Sequence, residues 1–301
     1  MNIYRKYCQY FWFKFKRRAF QYFLEGLKNP KWILMFCLAR VQIFRSLGIY
    51  LSKRPYQLEK DVDSIFKEVN VDSAVEQLKD EGLYEGINIP GDRLLEIQEF
   101  SHSVSYLGDA RKEFSFFLHE KDEAESKYQQ KFVTAHHLNP SQQCEAIQKI
   151  SEDPKIWQIA AKYLETNPIL IETRLWWTFV LGEAVNKSLL LPYNFHYDLE
   201  DYRFIKFMFY LSNVDKSSGS HVCVKGSHNK KKLSNQLSLI RETSEQKIFD
   251  YYGTEKVKTI CGEAGLGFVE DFYCFHKGTL PISKDRLILE VKFAMNSYGN
   301  V

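Results

Sequence analysis

The sequence predicts an α+β protein in which a mainly helical first half supports an antiparallel β sandwich or barrel. Three observations predict it. Residues 59–165 carry apolar side chains at helical spacing, and from Ile169 onward the pattern changes to period two and stays there. The 301 residues are 45% hydrophobic and 15% aromatic, enough apolar material for a large core. This composition excludes a disordered, collagen-like, disulfide-scaffold or multi-span membrane protein.

The first stretch of chain has its own character. Residues 1–58 hold twelve Lys/Arg and a single acid, Glu25, a balance of +11. The rest of the chain sits near −8, although the total is only +3. The extension reads as one or two short helices punctuated by Pro30 and Pro55. Aromatics from Tyr4 to Phe23 interleave with its basic residues. That suits either a helix lying in an anionic membrane surface or an arm packing its rings on the body with its charges in water. Arg40, Gln42 and Arg45 cut the apolar run over residues 32–51. Mid-span charges cost roughly 2.5–3.5 kcal/mol each on insertion scales, so a transmembrane helix is rejected. Lys14, Lys16, Arg17 and Arg18 likewise break any signal-peptide core. The body is acidic and no recognisable reading motif accompanies the basic stretch, which argues against nucleic acid as a partner. Cys8, Cys37, Cys144, Cys223, Cys261 and Cys274 form no CxxC pair, as is ordinary in a reducing cytosol. The expected location is therefore cytoplasmic, with peripheral membrane contact through residues 1–58 as the outcome of the first of the two readings of that extension.

Within 59–165, residues 71–82, 94–100 and 154–164 have helical spacing. His136-His137 precedes Asn139-Pro140 and reads as a surface loop, since adjacent residues cannot easily bind one metal in a regular element. Residues 166–301 read as the β core, with strands at 169–180, 194–198, 204–211, 222–224, 257–260, 267–275 and 286–295. Together 59–301 make one structural domain.

The chemistry centres on His196-Tyr197-Asp198 within a predicted strand. Side chains two apart leave a strand on the same face, so an imidazole and a carboxylate converge while Phe195 and Tyr197 turn away. They supply two-thirds of a 2-His-1-carboxylate face, which suits Fe(II) because three cis positions stay open. His221, His228 or His276 could complete it. His276 is preferred: it ends the strand 267–275, and Arg286 follows ten residues on at the head of an apolar strand. An inward guanidinium there could grip a carboxylate as a bidentate fork. His221 and His228 sit among Ser, Gly and Lys, which is turn chemistry.

The order of these residues resembles the phytanoyl-CoA dioxygenase family of Fe(II)/2-oxoglutarate oxygenases. It runs from His196-x-Asp198 through Phe207-Met208-Phe209-Tyr210-Leu211-Ser212-Asn213-Val214-Asp215 and Gly226-Ser227-His228 to His276 and Arg286. Upstream, Ala74 to Tyr84 resembles that family's opening helix and strand, so the likeness spans about residues 73–296. The resemblance implies a double-stranded β-helix, a jelly-roll or cupin-like core with supporting N-terminal helices. It implies His196, Asp198 and His276 as iron ligands and catalytic centre. It implies Arg286 as the partner of the distal carboxylate of 2-oxoglutarate, with Ser283 near that carboxylate. The implied cofactors are Fe(II), 2-oxoglutarate as co-substrate, and O2. Retention of the acid Asp198 favours hydroxylation over halogenation. Lys225 stands before Gly226-Ser227-His228 where many relatives have proline.

Lys206 lies in the strand 204–211 on the face of Phe204, Met208 and Tyr210. It either reaches co-substrate or substrate or snorkels at a sheet edge. Glu172, Arg174 and Trp176 share one strand face, read as a pair on a solvated surface, and Lys230-Lys231-Lys232 reads as a solvated turn. Cys223 and Cys274 are expected to fill core space near the site. The expected function is hydroxylation of a small-molecule, lipid-like or glycan substrate with release of succinate and CO2. The alternatives are a non-catalytic metal-binding cupin-like protein, or a membrane- or partner-binding protein that uses the basic arm. The oligomeric state is left open.

Overall fold

Two antiparallel sheets face each other in the computed structural model, which describes residues 22, 24, 26–57, 63–181 and 194–299. The extension's aromatics over residues 4–20 and Cys8 lie outside the described residues. The helices are α1 (Pro30–Leu38), α2 (Gln42–Leu51), α3 (Val71–Glu81), α4 (Gly91–Ser103), α5 (Lys121–Tyr128), α6 (Glu145–Ser151), α7 (Pro154–Leu164), α8 (Leu233–Leu237) and α9 (Glu245–Tyr252). The strands are β1 (Leu83–Glu85), β2 (Ser105–Gly108), β3 (Ser115–Phe117), β4 (Thr134–Leu138), β5 (Ile169–Thr178), β6 (Phe195–His196) and β7 (Phe204–Tyr210). They continue with β8 (His221–Val224), β9 (Glu242–Thr243), β10 (Val257–Ile260), β11 (Gly267–Glu270), β12 (His276–Gly278) and β13 (Arg286–Ala294). The larger sheet has the order β1-β11-β7-β13-β5-β4-β2-β3, and the smaller β10-β8-β12-β6-β9.

Alternation explains why the larger sheet forms as it does. Along β7, Ile205, Phe207 and Phe209 join the core under the helices, while Phe204, Met208 and Tyr210 join the core between the sheets. Along β13, Leu287, Leu289, Val291 and Phe293 turn to the helices and Ile288 to the inside. Both strands are buried on both faces, so they read as nearly continuous apolar runs. The helical layer supplies Leu78 from α3, Ile97 from α4, Ile147 from α6 and Ile159 from α7, with Trp157 edge-on to Phe293 at 5.0 Å. Asp153 starts α7 by accepting the Lys155 N–H, and it also takes hydrogen bonds from Ser64 and Ile65. On the far side, α1 lays Trp32, Met35 and Phe36 against Phe195 of the smaller sheet and against Tyr197 and Phe275, which flank its strands β6 and β12.

The region 59–165 departs from its mainly helical expectation in containing β1 to β4, which extend the larger sheet at both ends. These strands are three to five residues long, too short to establish a period. His136-His137 accordingly lies in β4, paired with Trp176 and Leu175 of β5, and not in a surface loop. The strand expected over 267–275 ends at Glu270. Asp271 turns the chain there, its carboxylate accepting the Tyr273 N–H and its carbonyl the Cys274 N–H. The turn carries the chain to the opposite sheet, where His276 opens β12 and does not close β11. Lys231 is buried, not solvated: its ammonium donates to the Ser227 and Tyr273 carbonyls among the rings of Tyr197, Tyr273 and Phe275. Burial pushes it down to about 7.

Candidate metal centre

β6 is a strand of two residues held between β12 and β9. Phe195 and Tyr197 anchor it, both buried in the core shared with α1, and this turns His196 and Asp198 to the other side. The Asp198 N–H donates to the Phe272 carbonyl at 2.8 Å, which fixes the residue just beyond the strand. In the β6–β12 ladder His196 stands directly opposite His276, with ring centroids 4.5 Å apart. One donor atom from each of His196, Asp198 and His276 lies within 4.8 Å of the others.

The hydrogen bonds of the two imidazoles decide which nitrogen faces the cluster. His196 Nδ1 is 2.8 Å from the Asn194 carbonyl, and His276 Nδ1 is 3.0 Å from the Cys274 carbonyl. A carbonyl only accepts, so both Nδ1 atoms carry a proton, which leaves Nε2 as the ligating nitrogen of each ring. Burial, reinforced by His196, also pushes the His276 imidazole well below its usual value and keeps it neutral. Burial alone would raise Asp198, but Lys206, His276 and His196 outweigh it and hold the carboxyl well below the usual range. Two imidazoles and an ionised carboxylate are the donor set a divalent transition metal takes, with backbone carbonyls orienting the ligands from behind. The residues fit such an ion.

The other two histidines are engaged elsewhere. His221 Nε2 is 2.6 Å from Glu270 Oε2, and its backbone N–H donates to the Tyr210 hydroxyl. His228 contacts Cys274 Sγ at 3.4 Å and the Lys79 carbonyl at 3.3 Å. Cys223 and Cys274 are both fully buried. Glu270 went unnoticed in the sequence. It lies on the inner face of β11, with Oε1 3.8 Å from His276 Nδ1. Burial, partly offset by His221, pushes it up to about 7. The available signal was an acid at the inward parity of an apolar strand.

Arg286 is buried at the head of β13, opposite Thr178 of β5. Its guanidinium donates to the Thr178 hydroxyl at 3.0 Å and to the Gly219 carbonyl, beside Tyr210. β12 and β13 belong to opposite sheets, so the guanidinium enters the space between the sheets from the wall facing His276. Ser283 is exposed in the preceding bend, its hydroxyl 2.7 Å from that of Ser217.

Lys206 is no edge lysine. Its ammonium lies 3.1 Å from Asp198, 3.3 Å from Glu200 and 3.7 Å from Glu290. Burial would lower it, but Glu200, Glu290 and Asp198 outweigh that and hold it above its usual value. Beyond it the inner wall stays ionic. Glu172 pairs with Arg174 at 2.8 Å and also with Lys292 of β13, so this row faces the interior of the fold, not open solvent.

No protein-family model matches the sequence, and no curated protein does. Solved structures do share the fold. EctD from S. alaskensis in its apo form is 10% identical, with a TM-score of 0.51 over 80% of this chain and 81% of that one. The same enzyme with 2-oxoglutarate and 5-hydroxyectoine is 11% identical, with a TM-score of 0.50 over 80% and 82%. The non-heme alpha-ketoglutarate-dependent epimerase SnoN from nogalamycin biosynthesis is 10% identical, with a TM-score of 0.49 over 74% and 82%. The described chain has the jelly-roll, cupin-like fold that it shares with EctD, with helices packed on the larger sheet.

Proposed function

We propose that this protein is an Fe(II)- and 2-oxoglutarate-dependent oxygenase of the phytanoyl-CoA dioxygenase type. It would hydroxylate a small-molecule, lipid-like or glycan substrate and release succinate and CO2. The observation that carries the reading is the convergence of His196, Asp198 and His276, each imidazole held by a carbonyl so that Nε2 is free. The fold shared with EctD, crystallised with 2-oxoglutarate, supports it. Bound at these three residues, iron with 2-oxoglutarate and O2 supplies the oxidising chemistry.

The protein's own groups hold that chemistry in place. Asp198 stays ionised beside Lys206, so it offers its full charge to a metal. Arg286 projects a guanidinium into a buried space, where the Gly219 carbonyl and the Thr178 hydroxyl orient it for a carboxylate. The interior walls carry Phe268, Phe272, Met208 and Ile288, which exclude water around it. No strong general base is required of any side chain.

Succinate formation tests the proposal. Protein loaded anaerobically with Fe(II) and exposed to air with 2-oxoglutarate should release succinate even without its substrate, and His276→Ala should not. Arg286→Gln should need at least about tenfold more 2-oxoglutarate, the scale of a lost charge-assisted pair. Iron bound in full stoichiometry with no succinate would instead establish the non-catalytic metal-binding alternative.

A further inference from the structure

We propose that the outward faces of α1 and α2 form a docking surface for an anionic lipid bilayer. α2 is built inside out. Its charged residue Arg45 points into the body, donating to the Tyr202 carbonyl at 2.7 Å, lying 3.6 Å from Asp271 and stacking 3.8 Å from the Tyr273 ring centroid. Gly48 and Ile49 share that inner face, and Gly48 packs so closely on the Tyr202 ring that a side chain would overlap it. Apart from Ile49, its large apolar residues face out. Ile43 is 78% exposed, Tyr50 69% and Leu51 72%, with Phe44 and Leu47 between them and Leu34 of α1 alongside. Positions 43, 47, 50 and 51 fall on one stripe of a 3.6-residue helix. Single exposed apolar residues are ordinary, whereas a continuous stripe marks an interaction surface.

Charge selects the occupant. Lys28, just before α1, and Lys31, in its first turn, are exposed, and Lys53 just after α2 pairs with Glu165. The sequence over 1–58 carries +11 with one acid, and six of its twelve Lys/Arg lie in residues 1–21, which hold no acid. A second copy of the chain would set +11 against +11. An anionic headgroup layer over an acyl interior matches both the basic balance of this extension and the apolar stripe. Among the described residues no helix is long and apolar enough to cross a membrane, so the helices lie on the surface. The Arg45 contacts hold α2 in this orientation with or without lipid.

Vesicle flotation of the full chain tests the idea, using phosphatidylcholine alone and phosphatidylcholine with phosphatidylglycerol. Wild type should float with the anionic vesicles and release as salt is raised. The double variant Ile43→Ser, Leu47→Ser should partition about tenfold or more weakly, because two apolar side chains no longer insert. Its circular dichroism should be unchanged, because both residues are exposed. Equal flotation of variant and wild type overturns the proposal, as does no flotation with anionic vesicles. A dimer that the double variant dissolves, without vesicle binding, assigns the face to a second copy and also overturns it.

Discussion

His136 pairs with Trp176 across β4 and β5, its ring stacked 6.0 Å from the indole and its Nε2 2.9 Å from the Thr134 hydroxyl. Burial and the Arg174 guanidinium push its imidazole down from 6.5 to about 4, against a smaller opposing pull from Glu172. The folded state therefore holds this imidazole neutral, while the unfolded chain protonates it. Stability associated with His136 is present above about pH 6.5 and is lost as the pH falls from there toward 4, by up to about 3 kcal/mol. His136→Phe should flatten that part of the stability–pH curve, measured by urea midpoints. A variant with the wild-type slope between pH 6.5 and 4 would contradict the assignment. Lys206 shows the same balance with the opposite sign. Removing a buried cation from among Asp198, Glu200 and Glu290 leaves carboxylates uncompensated, which is why a lysine persists in an apolar strand. Neither His136 nor Lys206 could be placed by residue type alone, because partner atoms distant in sequence decide whether a charge is solvated or buried. His196 and Asp198 were legible because strand alternation is local: it needs only the two neighbouring positions, and Phe195 and Tyr197 fall to the apolar side.

Elements differ in how far their sequence speaks for them. α3 carries its boundaries openly. Asn70 caps it by accepting the Ser73 N–H, and Gly82 ends it at a left-handed φ of 72°. Gly82 also lies where an added Cβ would run into Cys274 and His228, just behind His276. Gly82→Ala should therefore cost more than the 1–2 kcal/mol of the left-handed conformation alone, read as a lowered thermal midpoint. A midpoint within a degree of wild type would show that the helix end can relax. β13 was equally legible, its nine residues reading as an apolar run because both faces are covered. The end of β11 was not. The segment 267–275 is apolar throughout except Glu270 and Asp271, and only the hydrogen bonds of Asp271 reveal that it spans two sheets. α2 is silent in another way: nothing local says that the side carrying Arg45 faces inward. That depends on Asp271 and Tyr273, more than two hundred residues away.

For the molecule as a whole, two sheets, a helical layer and a basic extension divide the work. The helices cover the outer face of the larger sheet, so its inner face can carry Arg286, Lys206 and Glu290 without losing the core. The smaller sheet brings His196 opposite His276, and α1 packs on its back. The near-neutral total charge conceals an acidic body and a +11 extension. The central claim concerns three side chains, and anaerobic titration with Fe(II) followed by 2-oxoglutarate tests it most directly. The expected result is a weak visible absorption band in the wild type that Asp198→Ala abolishes. No band in the folded wild type, or an undiminished band in Asp198→Ala, would contradict it.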